Sequence, residues 1–279
     1  MIRWVRGVLL AAGATVLAAA EPASAEPVPA ETVPVEHSPV STVPLSRLET
    51  AWWRTRHQDK LAEIAALTRS GGHVDLVWLG DSITQDWELA GPAEWQEFAP
   101  VWRHFYGDRH ALNLGFKGDT TAHLLWRMQN GELDGLTPKA VVILIGANNM
   151  GRVHWTAPQT VAGISAVVDE AHRRLPAARI ILLGVLPSIR SNYVTRTTAR
   201  VNHALAERYP AGALPWLIFV DATPLFLHEG QVDRTQFLDD QLTPPDPPLH
   251  PNPAAQAHVA QTIEPLVAAA LGDRVRLAR

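Results

Sequence analysis

The chain has 279 residues, no cysteine and a formal charge of −4 at pH 7, from 24 Lys and Arg against 28 Asp and Glu. Without cysteine it has no thiolate nucleophile, no thiolate zinc site and no disulfide. A mildly acidic sequence without a Lys/Arg block also argues against nucleic acid as a partner.

Arg3 and Arg6 precede an apolar stretch from Val8 to Ala20, and Ala23-Ser24-Ala25 offers a small-residue cleavage site. Residues 1–25 therefore read as a secretory signal peptide. The apolar run is short for a bilayer span, so no stable membrane insertion is expected after cleavage. The expected location is secreted or periplasmic. Residues 26–44, rich in Pro, Val, Glu and Thr without apolar periodicity, read as a disordered leader or linker. Residues 45–275 have the size of one domain with a substantial core.

Within that domain apolar runs alternate with amphipathic stretches. A helix is expected over 45–68, then strands over 74–79 and 111–114, a helix over 120–130 and a strand over 140–145. Helices at 158–174 and 197–209 alternate with strands at 179–186 and 216–220, and a helix over 253–271 closes the pattern. The strands are nearly continuous in Val, Ile and Leu, as for parallel strands covered on both faces. The alternation predicts an α/β fold, a three-layer α/β/α sandwich around a parallel five-stranded sheet. Segments 86–110 and 222–252 are left as the loops that shape a substrate site.

Four segments fall where the C-terminal edge of such a sheet would deliver them. Gly80-Asp81-Ser82-Ile83 follows the first strand and exposes a hydroxyl at the edge where open α/β sheets bind ligands. Asn113-Leu114-Gly115-Phe116-Lys117-Gly118-Asp119 follows the second, with glycines that bring backbone N–H groups close to a negative charge. Gly146-Ala147-Asn148-Asn149 adds a side-chain amide after the third. His250 stands just before Asn252 and Pro253, the expected N-cap and first turn of the last helix. Each segment alone is an ordinary turn or cap. Together they form a working site: Ser82 as nucleophile, His250 as general base, and the N–H groups of Ser82 and Gly118 with the Asn148 amide as an oxyanion hole.

These motifs resemble the SGNH hydrolases, the GDSL esterase/lipase family. Ser82 lies in Gly-Asp-Ser-Ile, Gly118 in Asn-x-Gly-x-x-Gly-Asp, Asn148 in Gly-x-Asn-Asn and His250 in Leu-His-Pro. Gly118-Asp119-Thr120-Thr121, Leu125-Trp126-Arg127 and Asn130-Gly131-Glu132-Leu133 are similar to the catalytic subunits of intracellular platelet-activating-factor acetylhydrolase and their bacterial relatives. The resemblance runs from about Trp53 to Leu271 and implies a flavodoxin-like sheet, metal-free ester hydrolysis and small acyl groups. The family also implies an Asp three residues before the His, but Pro247 stands there. Asp246 is then the favoured partner of His250, with Asp239, Asp240 or a backbone carbonyl as alternatives.

Other residues carry weaker signals. Trp78, Trp126 and Trp216 fit strand or helix patterns and read as core, whereas Trp87, Trp155 and Trp95 are candidates for a cleft rim that stacks on sugar rings. Lys117 reads as solvated, and Asp81 as a brace for its loop. No His or carboxylate spacing on a helix suits a metal, so neither metal nor cofactor is expected. The leading expectation is a secreted serine esterase that removes short acyl groups, acetyl above all, from a small-molecule or saccharide ester. A lipid-ester acylhydrolase is the alternative. A catalytically silent carbohydrate-binding module is a third, favoured only by the displaced Asp.

Overall fold

The computed structural model describes residues 41–90, 98–242 and 244–277. The signal-peptide segment, most of the expected leader and Trp95 lie outside the described residues.

Five short strands, β1 (Leu76–Gly80), β2 (Ala111–Gly115), β3 (Ala140–Leu144), β4 (Arg179–Leu183) and β5 (Leu217–Val220), form one parallel sheet. Their order is β2-β1-β3-β4-β5. Leu76 to Gly80 run level with Ala111 to Gly115 on one side and Ala140 to Leu144 on the other. This is the flavodoxin-like order, and its direction reverses between β1 and β3. The carboxyl ends of β1, β2 and β3 therefore meet at a crevice.

The helices are α1 (Ala51–Arg69), α2 (Ser82–Gln85), α3 (Ala99–Tyr106), α4 (Thr121–Arg127), α5 (Ala147–Gly151), α6 (Ala157–Arg174), α7 (Asn192–Arg208) and α8 (Pro253–Leu271). Val77, Leu79, Val141, Ile143, Ile180 and Leu182 point to one face of the sheet and pack on α1, α4, α6 and α7. Trp78, Val142, Leu144 and Ile181 point to the other and pack on α3 and α8. Alternate residues thus face different layers although every one is buried, which is why the strands read as unbroken apolar runs. Each such side chain contributes roughly 1.5–3 kcal/mol of burial. Among the described residues no helix is long and apolar enough to cross a membrane.

Several expectations need correction. The N-terminal segment is docked from Ser41, four residues before the expected domain start. Ser41 is buried, its carbonyl accepts from Thr121 Oγ1 at 3.0 Å, and Leu45 N–H donates to Ala122 O at 3.0 Å. Segment 86–110 is not all loop either, because α3 lies in it. Trp87 (1 % exposed) joins Trp78, Trp102 and Tyr106 in an aromatic cluster with centroids 4.9–6.5 Å apart. It is core, not cleft rim. Trp155, at 3 % exposure, is core as well. Of the three expected core tryptophans, Trp78 is buried, and Trp126 and Trp216 are partly buried against Trp53 and His172.

A buried charged network fixes the loop after β2. Asp119 accepts from Trp53 Nε1 and Arg127 Nε, each at 2.8 Å, and from Arg47 Nη1 at 3.1 Å. Arg127 also donates to Gly80 O at 3.2 Å and pairs with Glu132, which meets His57 Nδ1 at 2.8 Å. Its guanidinium lies 3.9 Å from the centre of the Phe116 ring. Arg127→Met removes the cation shared by two buried carboxylates, at a cost of about 3–5 kcal/mol. In a chain of this size the expected result is a Tm roughly 10 °C lower by calorimetry; an unchanged Tm would show that the network carries no stability.

Candidate active site

Ser82 is delivered by a turn that only glycine permits. A Cβ on Gly80 would sit 2.1 Å from Thr84 Oγ1 and 2.4 Å from Leu144 O. Asp81 caps the helix that follows, its Oδ1 accepting from Ile83 N–H at 3.1 Å. Ser82 is the first residue of α2, so its N–H has no acceptor within the helix. Asp81 also accepts from Asn148 Nδ2 through Oδ2 at 3.3 Å, which gives it the bracing position expected from the sequence.

The second segment leaves β2 through Phe116, whose N–H donates to Gly80 O at 3.2 Å and so ties the two loops together. Gly118 turns the chain at φ +75°, a conformation that L side chains rarely adopt. Any Cβ there would also meet Arg152 Nη1 at 2.0 Å. Asn148 reaches the same place from α5, where its Nδ2 donates to Asp119 O at 3.0 Å. Beside it, Asn149 accepts from Thr121 N–H at 3.0 Å and donates to Thr121 Oγ1 at 2.9 Å. The loops after β2 and β3 are thereby locked to each other.

His250 arrives from the far end of the chain. Asn252 caps α8 by accepting from Ala255 N–H at 2.9 Å, and His250 is two residues before it. Its Nε2 lies 3.0 Å from Ser82 Oγ. Its Nδ1 lies 2.7 Å from Asp239 Oδ1. The other oxygen, Oδ2, accepts the N–H groups of Leu249 at 2.8 Å and His250 at 2.5 Å. The carboxylate is therefore held at both oxygens, with one aimed at the imidazole.

This corrects the expected partner of His250. Asp246 lies on the cleft wall but is exposed, and its backbone N–H donates to Asp239 O at 3.0 Å. The proline-rich stretch folds back on Asp239 and turns the Asp246 side chain outward. Asp240 pairs with Arg234 instead. With Asp239 in place, the displaced Asp no longer favours a silent binding module.

Ser82, Gly118, Asn148 and His250 line one cleft of about 390 Å³, whose wall includes Leu89, Leu238, Leu242 and Leu249. Lys117 is on the same wall, half exposed, with Nζ 3.7 Å from Asp86 Oδ1. Burial acts against the charged form of His250, but the Asp239 hydrogen bond and charge, with Asp86 and Asp81 behind it, hold its pKa above the ordinary 6.5. Asp239 is held below the usual carboxylate range. Burial opposes that, and contact with His250 and the two backbone N–H groups outweighs it. Asp81 goes the other way, pushed up to about 7 by full burial.

The profile of the GDSL-like lipase/acylhydrolase family matches residues 78–258, from β1 into α8. The chain belongs to that family. A bovine protein (Bos taurus), platelet-activating factor acetylhydrolase IB subunit alpha1, is 37 % identical over 167 residues, which are 59 % of this chain and 66 % of that subunit. The chain thus spans just under two thirds of that relative. A GDSL-like lipase from Bacteroides thetaiotaomicron superposes with a TM-score of 0.55 at 19 % identity, covering 77 % of this chain and 98 % of that one. An acetylxylan esterase from Geobacillus stearothermophilus gives 0.51 at 18 % identity, over 74 % of this chain and 97 % of that one. Both share the α/β fold.

Proposed function

We propose that the chain is an exported serine esterase that hydrolyses short acyl esters, acetyl above all, carried by a polar substrate such as a saccharide. The observation that carries this reading is the relay from Asp239 Oδ1 through both nitrogens of His250 to Ser82 Oγ, with gaps of 2.7 and 3.0 Å. His250 takes the Ser82 proton as Oγ attacks the ester carbonyl. Asp239 keeps the other ring proton on Nδ1 and stabilises the imidazolium. The N–H groups of Ser82 and Gly118 receive the developing oxyanion, together with the Asn148 amide, which turns to it the hydrogen of its longer bond, the 3.3 Å one to Asp81 Oδ2, and keeps the one to Asp119 O. The imidazolium then protonates the departing alcohol, and a water activated by His250 releases the acid from Ser82. Export rests on the pattern of residues 1–25.

A cleft of about 390 Å³ is near the lower end of ligand sites, which supports a short acyl group. The second reading, a lipid-ester acylhydrolase, is favoured by the 37 % identity to the bovine acetylhydrolase subunit. A series of p-nitrophenyl acetate, butyrate and octanoate separates the two. The expected kcat/KM is highest for acetate and falls at least about tenfold by octanoate, a loss of about 1.4 kcal/mol in transition-state binding. A profile that rises with chain length moves the lipid reading to the front.

General-base catalysis requires neutral His250. Because its pKa is held above 6.5, kcat/KM is expected to rise with pH through an inflection above that value. An inflection at or below 6.5, measured on p-nitrophenyl acetate between pH 5 and 9, contradicts the electrostatic role assigned to Asp239.

A further inference from the structure

The edge of the sheet opposite Ser82 carries a second cluster of chemistry-bearing side chains, which the esterase reading does not use. Asp75, His110 and Lys139 immediately precede β1, β2 and β3, and His73 lies two residues before Asp75. His73 Nε2 is 3.1 Å from Asp75 Oδ2, and His110 Nδ1 is 3.2 Å from the same oxygen. The two imidazole rings lie side by side, with centroids 4.1 Å apart. One donor atom from each of the three residues falls within 4.8 Å of the other two.

We propose that His73, Asp75 and His110 bind one divalent transition-metal ion of the zinc class. Zinc–nitrogen and zinc–oxygen bonds are about 2.0–2.1 Å long. Two donors on adjacent corners of a tetrahedron around such an ion are then about 3.3 Å apart, close to the two nitrogen–oxygen gaps seen here. Two imidazoles with one carboxylate select zinc, nickel or copper over calcium or magnesium, which prefer all-oxygen sites. The fourth corner is open to water, since both rings are more than half exposed.

Two neighbours shape the site. Lys139 Nζ holds the other carboxylate oxygen, Oδ1, at 3.0 Å, so that Oδ2 alone faces the imidazoles. Lys139 is itself 55 % exposed, and solvent screens its repulsion of a bound cation. His110 adopts φ +44°, an uncommon conformation for a residue other than glycine. Its carbonyl accepts Asp75 N–H at 3.2 Å, which pins the two loops together. An ion here would clasp the amino ends of β1 and β2. Seven residue steps, at most about 23 Å at 3.3 Å each, separate Asp75 from Ser82 along β1. Binding should therefore act on stability and leave turnover alone.

The test is calorimetric titration of ZnCl2 into the full-length chain, stripped with EDTA and free of any polyhistidine tag. The expected result is one equivalent bound. His73→Ala and His110→Ala should each weaken that binding about 100-fold, while His203→Ala, which removes an exposed His paired with Glu207 at 3.3 Å on α7, leaves it unchanged. Zinc at a hundred times the Kd of the unaltered protein should raise its Tm by about 5–10 °C and that of the two variants by no more than about 1–2 °C. His110→Gly guards against misfolding, because glycine accepts the positive φ. It should be as stable as the unaltered protein in EDTA and still fail to bind. No stoichiometric binding, or equal affinity in the His73 and His110 variants, overturns the proposal.

Discussion

Ser82→Ala is expected to lower kcat on p-nitrophenyl acetate by about 10⁶-fold, leaving only what binding and the oxyanion donors supply. The loss should be confined to chemistry. The turn around Ser82 is held by Gly80, by the Asp81 cap on Ile83 and by Phe116 N–H on Gly80 O, none of which uses the hydroxyl. Melting temperature should therefore stay within about a degree or two of the unaltered protein. A folded variant that keeps more than about 1 % of the activity would remove Ser82 as nucleophile.

Asp239→Asn has the next largest expected effect, a fall in kcat on the order of 10³–10⁴ with little change in KM. The two backbone N–H groups that now serve Oδ2 would claim the amide oxygen of the Asn. Its NH₂ would then face His250 Nδ1, which can only accept. The ring proton moves to Nε2, where it points at Ser82 and cannot take the serine proton. Loss of the carboxylate charge also removes what holds the His250 pKa up, so the residual activity should titrate at lower pH. Asp246→Asn and Asp240→Asn should stay close to the unaltered enzyme. Equal losses in all three would mean that the relay through Asp239 is not the working one.

That distinction is faint in the sequence, and the reason is geometric. Spacing along the chain identified Ser82, Gly118, Asn148 and His250 because each is tied to the end of a strand or the start of a helix, whose position the apolar pattern reveals. Asp239 has no such mark. It opens a single 3-10 turn, Asp239–Gln241, too short to show a period, eleven residues before His250, and is positioned by Leu238 N–H on His250 O and Asp246 N–H on its own carbonyl. One signal was present. Asp239 follows Phe237 and Leu238, both buried, whereas Asp246 is flanked by Pro245 and Pro247 and is exposed. A carboxylate next to buried apolar residues is the better candidate for a fixed partner.

The same contrast runs through the fold. All five strands were legible, within a few residues at their ends, because burial on both faces leaves continuous Val, Ile and Leu. The last helix was legible to the residue, because Asn252, Pro253 and Gly272 mark its ends. The helix α3 was not, since its eight residues, Ala99–Tyr106, make only about two turns, too few for Arg103 and His104 to establish a helical period. Trp87 and Trp155 were misread for a related reason. An indole in a loop sequence carries no mark of which way it points, and here both turn inward.

The clasp between the start of the domain and the loop after β2 has a consequence for biogenesis. Arg47 donates to Lys117 O and to Asp119, some 70 positions downstream, and Ser41 O receives Thr121 Oγ1 across 80. The first part of the domain to leave the ribosome is thus among the last to find its partners, because long-range closure waits for β2 to form. Until then the segment is an open target for a protease. Trimming past Ser41 would leave the sheet whole and the Asp239–His250–Ser82 relay whole, yet loosen the Gly118 turn. Such a product would look folded by every bulk measure and turn over poorly. The integrity of residues 41–47 is accordingly a quality mark for a preparation of the protein, distinct from its yield.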